Sequence, residues 1–182
     1  MKQAGGGFRR CALACAGVLA LVAHAWAREP VDFAGNYKWS GGTNDTQALA
    51  QEVARVADTL PLIIRPLARY RMSETFTPCE QISITVTNAD IVFSQTNMTS
   101  IATRLGGEPV RWEREPGTFC LATFTRTDDG RLRQFLREAD GTRETIFTLA
   151  PDGKEMTVDI TIHSKRLDTP VHFLLHYRRA AP

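Results

Sequence analysis

The sequence predicts a mainly β protein, an up-and-down antiparallel β-barrel of about 8–10 strands with a helical insertion after the first strand. One strong helical period follows the first strand-like segment. Three Asp-Gly pairs lie 11 and 12 residues apart in the C-terminal third, namely Asp129-Gly130, Asp140-Gly141 and Asp152-Gly153. Because Asp-Gly supplies the positive φ angles of tight hairpin turns, this spacing predicts consecutive hairpins. Long meandering strands tend to curl and close into a barrel.

The predicted first strand covers residues 31–40 and ends at the turn-forming residues 41–44. Apolar residues then recur at three- and four-residue intervals, as on one face of an amphipathic helix: Leu49, Val53, Val56, Leu60, Ile64 and Leu67. A polar residue among positions 43–45 is a candidate cap for the helix start. Pro61 predicts a split, with a residue of 58–59 capping a second, shorter helix.

Strand-like segments follow the predicted helices and precede the Asp-Gly hairpins, at residues 81–87, 91–96, 98–104, 109–114 and 118–127. The clearest alternation of apolar and polar residues lies at 156–162, and a similar pattern occupies 171–177. A period of two indicates strands with one face buried and the other in solvent. The total is about ten strands, consistent with a barrel.

Residues 1–27 have the pattern of a signal peptide, with basic residues, an apolar run of about 13 residues and the small-x-small sequence Ala25-Trp26-Ala27. Twin-arginine export at Arg9-Arg10 and lipid attachment at Cys15 match less well. The apolar run is shorter than the roughly 20 residues that span a membrane, and no second candidate follows. We therefore expect an exported protein, periplasmic or secreted, in which residues 28–182 form one domain without a transmembrane segment.

The charge of the predicted domain argues against nucleic acid as a partner. Removing the three basic residues of the signal peptide from a total of 22 leaves 19 against 20 acidic residues, a formal net charge of −1. A nucleic-acid-binding domain needs concentrated positive charge to neutralise phosphates. Arginines recur in the chain, but acidic residues are interspersed among them, as is typical of a solvated surface.

Two cysteines, Cys79 and Cys120, follow the predicted signal peptide. In an oxidising compartment two cysteines are expected to pair, so we predict a structural disulfide between them. Closing the loop between these residues would stabilise the fold by about 3–4 kcal/mol in the chain-entropy model. The alternative, a reactive or metal-binding thiol, lacks a Cys-x-x-Cys spacing and a neighbouring histidine.

The opening segment Phe33-Ala34-Gly35-Asn36-Tyr37-Lys38 resembles the Phe-x-Gly-x-Trp-Lys opening of the calycin superfamily, the lipocalins and fatty-acid-binding proteins. The order of elements is also similar, because fatty-acid-binding proteins place a helix-turn-helix directly after the first strand and a strand meander after it. The segment 153–179 resembles secreted bacterial lipocalin-like proteins of unassigned function. The resemblance implies a barrel that holds a hydrophobic ligand inside.

Two positions depart from the family pattern. Fatty-acid-binding proteins commonly hold a carboxylate with an Arg-x-Tyr pair in the last strand, but here Leu175 stands two residues before Tyr177. The resemblance therefore does not imply a fatty-acid headgroup. Tyr37 replaces the usual tryptophan, which leaves open whether Arg178 or Arg179 packs across the opening strand as a lipocalin arginine does.

Strand parity predicts which side chains face the barrel interior. A barrel of ten strands favours a cavity, and apolar walls suit a lipid-like ligand. The predicted ligand-binding residues are Ile84, Phe93, Trp112, Phe147, Val158, Ile160, Phe173, Leu175 and Tyr177. The same residues would face inward in a filled core, so both interpretations stay open. The helical segment is likewise either a gate over the barrel or a plug that buries its apolar stripe.

The sequence offers no catalytic or metal-binding constellation. It lacks a Gly-x-Ser-x-Gly elbow, a His-Glu-x-x-His motif and a phosphate-binding glycine loop. His172 and His176 lie four residues apart on an extended strand, about 13 Å, too far to share one ion. We expect these two residues and His163 on the surface.

The leading hypothesis is an exported binding or carrier protein for a hydrophobic small molecule held in a barrel cavity. The alternative is an envelope structural or interaction protein with a filled barrel and no ligand. We expect no enzymatic activity and no cofactor, although some members of the superfamily catalyse isomerisations in their cavities without a local motif.

Overall fold

The computed structural model describes residues 32–87 and 89–181, and the predicted signal peptide, residues 1–27, lies outside them. This part of the chain forms ten strands and two helices: β1 (Gly35–Trp39), α1 (Gly42–Asp58), α2 (Arg65–Thr75), β2 (Gln81–Thr87), β3 (Asp90–Gln95), β4 (Ile101–Arg104), β5 (Val110–Glu115), β6 (Thr118–Arg126), β7 (Leu132–Glu138), β8 (Gly141–Leu149), β9 (Glu155–Ser164) and β10 (Val171–Arg179). All paired strands are antiparallel, in the sheet order β4-β3-β2-β1-β10-β9-β8-β7-β6-β5. The predicted fold class is confirmed.

The sheet curls into a nearly closed barrel whose edges are β4 and β5. Two backbone hydrogen bonds join the two sides of this gap. Thr99 N donates to Arg114 O at 3.2 Å, and Gly106 N donates to Phe124 O at 2.7 Å. Barrel closure therefore continues through loop residues at both ends of β4, where the strand ladder itself is interrupted.

The three predicted hairpins form, but only two of them use glycine at positive φ. Gly130 has φ 86° between β6 and β7, and Gly153 has φ 68° between β8 and β9. Gly141 instead begins β8 opposite Glu138, so the turn consists of the two residues before it. A Cβ at Gly141 would come within 2.0 Å of the His163 carbonyl oxygen. The close approach of β9 therefore explains why this position is a glycine.

The two helices pack very differently against the barrel. α1 buries Leu49, Val53 and Val56, as the predicted stripe requires. α2 buries only Met72, and Ile64 and Leu67 at the far end of the stripe are 44% and 54% exposed. The predicted stripe is therefore correct for α1 and wrong for α2, because the chain turns between the helices and the period does not continue through the turn.

The start of α2 also differs from the prediction. The expected cap at residues 58–59 is absent, because Thr59 ends α1 and its backbone N–H bonds to carbonyls of α1. α2 begins six residues later at Arg65, with Pro66 in its first turn. Proline fits that place because its fixed φ suits the first helical turn and its missing N–H leaves no bond unmade.

The C-terminal end of β10 packs across the opening strand. The Arg179 guanidinium carbon lies 5.2 Å from the Tyr37 ring centroid. Arg179 Nη2 donates to Tyr37 Oη at 2.8 Å and to the Asp32 carbonyl oxygen at 2.9 Å. The arginine that crosses the opening strand is thus Arg179 rather than Arg178, which is exposed and pairs with Glu155.

One half of the barrel interior is solid. The Phe93 ring lies 5.4 Å from the Phe124 ring and 5.7 Å from the Phe147 ring, centroid to centroid, so side chains from β3, β6 and β8 meet across the interior. All three rings are fully buried. We call this half the filled half, and the half beneath the helices, bordered by Arg143 and Phe76, the helical half.

Candidate functional site

The helical half contains an enclosed cavity of about 50 Å³. Its wall includes five of the nine predicted ligand-binding residues, namely Val158, Ile160, Phe173, Leu175 and Tyr177. Phe76, directly after α2, contributes to the lining and lies 5.7 Å from the Phe173 ring. The cavity is therefore mostly apolar on the side of β9 and β10.

The other four predicted residues face inward but lie away from this cavity. Phe93 and Phe147 pack in the filled half, and Ile84 is the register partner of Phe93. Trp112 is buried, and its Nε1 donates to Thr99 Oγ1 at 3.0 Å across the β4–β5 gap. Strand parity predicts that these side chains are internal, but parity does not tell which half of the barrel is filled.

A second, open cleft of about 820 Å³ lies between α2 and the rim of the barrel. The helical side of this cleft has the apolar residues Leu60, Ile64, Leu67 and Met72 together with the charged residues Arg71 and Glu74. The rim side carries charged and polar groups, namely Arg114, Glu138, Asp140, His163 and Arg166. The cleft and the enclosed cavity share the residues Thr75, Phe76, Met98 and Arg143, so they are neighbouring parts of one site.

Arg143 on β8 stands where the cavity meets the cleft. Its Nε has no hydrogen-bond partner, and no carboxylate among the described residues pairs with it. Burial lowers the pKa of Arg143 from its ordinary value, and the positive charge of Arg114 lowers that pKa further. Arginine nevertheless stays protonated in proteins, so a cation without a hydrogen-bonded acidic partner borders the cavity, and the negative charge of Glu138 acts on it only weakly.

Arg114 contrasts with Arg143 because it has acidic partners. Its Nη1 lies 3.0 Å from Glu138 Oε1, and its Nε lies 3.7 Å from Glu115 Oε1. Arg114 is thus engaged with acidic partners on the rim, and its charge repels Arg143. An anion entering the site would meet Arg143 where the cavity and the cleft join, and Arg71 of α2 is a further arginine in the cleft lining.

Tyr177 and Cys79 form the polar corner of the cavity wall. Tyr177 Oη donates to the Cys79 carbonyl oxygen at 3.1 Å and lies 3.2 Å from Cys79 Sγ. Burial raises the pKa of the Tyr177 hydroxyl and that of the Cys79 thiol. Both groups are therefore neutral at physiological pH, and neither is poised as a nucleophile.

The predicted disulfide between Cys79 and Cys120 is absent, since both are free thiols. Cys79 lies before β2 and contacts Tyr177, whereas Cys120 lies within β6 as the register partner of Trp112. Burial raises the pKa of the Cys120 thiol as well. The count of two cysteines gives no information about where the fold places them, which is why the prediction failed.

The histidines lie on the surface, as expected from strand parity. His172 and His176 are exposed on the outward face of β10, and His163 is exposed at the rim of the cleft. His176 Nδ1 lies 2.7 Å from Asp45 Oδ1, and His172 Nε2 lies 2.8 Å from Asp159 Oδ1. Among residues 32–87 and 89–181, no group of three His, Cys, Asp or Glu side chains is arranged to hold a metal ion.

Arg143 was not among the predicted site residues, although the sequence contains a signal for it. Phe147 is inward, and counting back along β8 in steps of two places Thr145 and Arg143 on the same face. The resemblance to fatty-acid-binding proteins points to a headgroup-binding arginine in the last strand alone. The structure supplies the interior cation from β8 instead, two strands from β10 in the sheet.

No family model and no curated protein matches the chain. Solved structures do match in fold. A secretary abundant heat soluble (SAHS) protein from Ramazzottius varieornatus is 11% identical with a TM-score of 0.54, covering 81% of this chain and 95% of its own. A fatty acid binding protein from Schistosoma mansoni in complex with arachidonic acid is 13% identical with a TM-score of 0.51, covering 84% and 100%. The chain therefore shares the barrel fold of these proteins.

Proposed function

We propose that the chain is an exported binding or carrier protein for an amphipathic small molecule with an acid group and an apolar tail. The acid group binds Arg143, and the tail lies in the cleft beneath α2. The observation that carries the proposal is the unpaired Arg143 guanidinium at the junction of cavity and cleft. No catalytic step is needed for this role.

Electrostatics favours an anionic ligand over a neutral one. A charge held inside a protein without a counter-charge is costly, and a bound carboxylate would remove that cost. Hydrogen bonds between guanidinium and carboxylate are among the strong ones, and they orient the carboxylate plane. The chain lacks the Arg-x-Tyr pair of the last strand, and Arg143 on β8 offers the equivalent charge from another wall.

The shape of the site favours an elongated apolar tail. The enclosed cavity of about 50 Å³ holds only a small group, whereas the cleft of about 820 Å³ accommodates a long chain. Leu60, Leu67 and Met72 supply apolar contacts along the helical side. The schistosome protein that shares this fold binds arachidonic acid, which also combines an acid group with a long apolar tail.

Export is part of the proposal and is supported by the sequence of residues 1–27. Basic residues precede an apolar run that is too short to span a membrane, and a small-x-small site follows it. Within the described ranges, neither helix is long and apolar enough to cross a bilayer. A protein carrying this segment would meet its ligand in the periplasm or outside the cell.

A second candidate function is a structural or interaction protein without a ligand. The solid packing of Phe93, Phe124 and Phe147 favours it, since half of the interior admits no guest. Only the helical half distinguishes the two functions. Native mass spectrometry of the purified protein would reveal a co-purifying lipid-like acid in the first case and empty protein in the second.

A binding experiment tests the proposal directly. Oleate should displace an apolar fluorescent probe from the wild-type protein, and Arg143→Leu should weaken oleate binding about 10- to 100-fold, as expected for loss of a charge-assisted hydrogen bond. Oleyl alcohol, which has the same tail without the charge, should bind both proteins about equally. Arg137→Leu is the matched control, because Arg137 is exposed on the outer face of β7. Equal oleate affinity in wild type and Arg143→Leu would contradict the proposal.

A further inference from the structure

Two polar side chains interrupt the otherwise apolar inward faces of β7 and β8. Gln134 is 2% exposed and lies between the buried Leu132 and Leu136. Thr145 is 1% exposed and precedes the buried Phe147 on the same face. Gln134 Nε2 and Thr145 Oγ1 have no hydrogen-bond partner in the part of the chain that the structure describes.

The two unpaired groups are neighbours. Gln134 and Thr145 are register partners across β7 and β8, so their side chains lie side by side on the inner wall. On the other side of Thr145, its register partner on β9 is Ile160. Ile160 lines the enclosed cavity, so the polar pair lies behind the cavity wall, between Ile160 on one side and Phe124, the register partner of Gln134, on the other.

The polar pair also adjoins the proposed acid-binding group. Arg143 and Thr145 are two residues apart on the same face of β8, a separation of about 7 Å along the strand. The three residues therefore form one continuous polar strip on the inner wall, running from the cleft toward the filled half. Each member has a nitrogen or oxygen without a partner among the described residues.

Buried polar groups in native proteins are rarely left without a partner, and an apolar residue would pack better at either position. The amide of Gln134 donates through Nε2, and the Thr145 hydroxyl donates or accepts. Together they match a neutral oxygen, either a hydroxyl that both donates and accepts or a carbonyl that accepts twice. A second acid group suits the pair less well, because neither residue carries a positive charge.

We propose that Gln134 and Thr145 form a second polar subsite, which binds a hydroxyl or keto oxygen on the first few carbons of an amphipathic acid held by Arg143. This inference rests on the proposed function and narrows its ligand class to oxygenated acids. A site built to hydrogen-bond such an oxygen discriminates against the analogue that lacks it, because the site's own groups are then left unpaired.

The test compares stearate with stearates that carry a hydroxyl or keto oxygen at successive carbons near the acid group. Wild-type protein should bind the best oxygenated acid about tenfold more tightly than stearate. Thr145→Val and Gln134→Leu should each reduce this ratio toward one. Thr161→Val is the control, because Thr161 faces outward on β9 next to Thr145's neighbour Ile160.

Thermal unfolding establishes that the variants are folded. If Gln134→Leu does not fold, Thr145→Val still tests the subsite, because valine has nearly the same shape as threonine. If ordered water alone satisfies the polar pair, wild type and Thr145→Val will show the same ratio for every oxygenated acid, which overturns the subsite. Stearate binding that depends on Arg143 would then leave the proposed function standing. If no acid binds the wild-type protein, the proposed function and the subsite both fail.

Discussion

At the scale of single residues, Asp45 fixes the start of α1 to the barrel. Its buried carboxylate accepts a hydrogen bond from Trp39 Nε1 at 3.0 Å and from His176 N at 2.7 Å, and its Oδ1 lies 2.7 Å from His176 Nδ1. The helix has no side-chain cap at its first residue. Asp45 therefore uses its oxygens to join β1, α1 and β10 rather than to cap the helix.

Asp45→Ala should lower the free energy of unfolding by about 2–3 kcal/mol, since it removes a buried carboxylate and leaves the part-buried donors Trp39 Nε1 and His176 N without their acceptor. Urea denaturation at neutral pH measures this loss. Asp58→Ala is the matched control on the same helix. Asp58 is exposed and pairs with Arg69 at 2.6 Å, so its removal should cost less than about 1 kcal/mol. Equal losses in the two variants would contradict the anchoring role of Asp45.

Burial of neutral tyrosine and cysteine predicts that the protein loses stability in alkali. Desolvation raises the pKa of Tyr37, Tyr177 and Cys79 above the values that these groups have in an unfolded chain. The fold therefore holds these protons more tightly, which stabilises it at low pH. This stabilisation is lost as pH rises above the unfolded pKa values, about 9 for cysteine and 10 for tyrosine.

Urea denaturation between pH 7 and 11 should show the free energy of unfolding falling above about pH 9 to 10. Tyr177→Phe should start from a lower value, because the hydrogen bond to Cys79 O is lost, and should then fall less steeply. Parallel pH profiles for the wild type and the variant would show that Tyr177 does not contribute to the alkaline loss.

Strand parity predicted the interior residues of β9 and β10, because a period of two is local information. The same rule places Arg143 on the inward face of β8, but the sequence does not show that no carboxylate forms a direct ion pair with it. Asp45 could not be predicted, since its donors come from positions 39 and 176 and meet only after the barrel closes. Local patterns thus give the face of a side chain, and tertiary structure gives its partner.

At the scale of elements, α1 and α2 have different attachments. α1 buries four apolar side chains, Leu49, Val53, Val56 and Ala57, and carries the Asp45 anchor. α2 buries Met72 alone, and the turn before it leaves Ile63 93% exposed. Arg69 holds α2 to α1 through an exposed ion pair, which contributes little. The plug interpretation therefore describes α1, while α2 has the loose packing that a gate requires.

Amide hydrogen exchange should separate the two helices. The amides of α2 should exchange much faster than those of α1 at neutral pH, because local opening of α2 exposes little apolar surface. Bound oleate should slow exchange in α2 more than in α1, since the tail would contact Leu67 and Met72. Similar protection of both helices without ligand would contradict a loosely packed α2.

The strand meander was predictable because each hairpin carries its own turn chemistry. The predicted segment 81–87 coincides with β2, and the Asp-Gly pairs mark the ends of β6 to β9 within a few residues. β4 is shorter than the predicted 98–104, since its first residues form the loop that bridges to β5 through Thr99. The gap between β4 and β5 is a property of barrel closure, which no local pattern contains.

At the scale of the whole molecule, the two halves of the barrel have different roles: the filled half stabilises the fold, and the helical half is the proposed binding site. The filled half brings together Phe93, Phe124 and Phe147 with no polar group among them. The helical half keeps the unpaired Arg143, and the unpaired groups of Gln134 and Thr145 lie at its border with the filled half, beside Phe124 and Phe147. Buried unpaired polar groups destabilise a fold, so these residues lower the free energy of unfolding.

Two substitutions should therefore have opposite effects. Phe93→Ala should lower the free energy of unfolding by about 3–5 kcal/mol, the usual cost of a cavity at a buried phenylalanine, while leaving oleate affinity within about threefold of wild type. Arg143→Leu should lose oleate affinity and leave stability equal or raised by up to about 1 kcal/mol, because a half-buried charge without a direct ion-pair partner is replaced by an apolar side chain. Urea denaturation and probe displacement on the same preparations measure both quantities. A large loss of stability in Arg143→Leu would mean that this arginine serves the fold, and the division between the two halves would then be wrong.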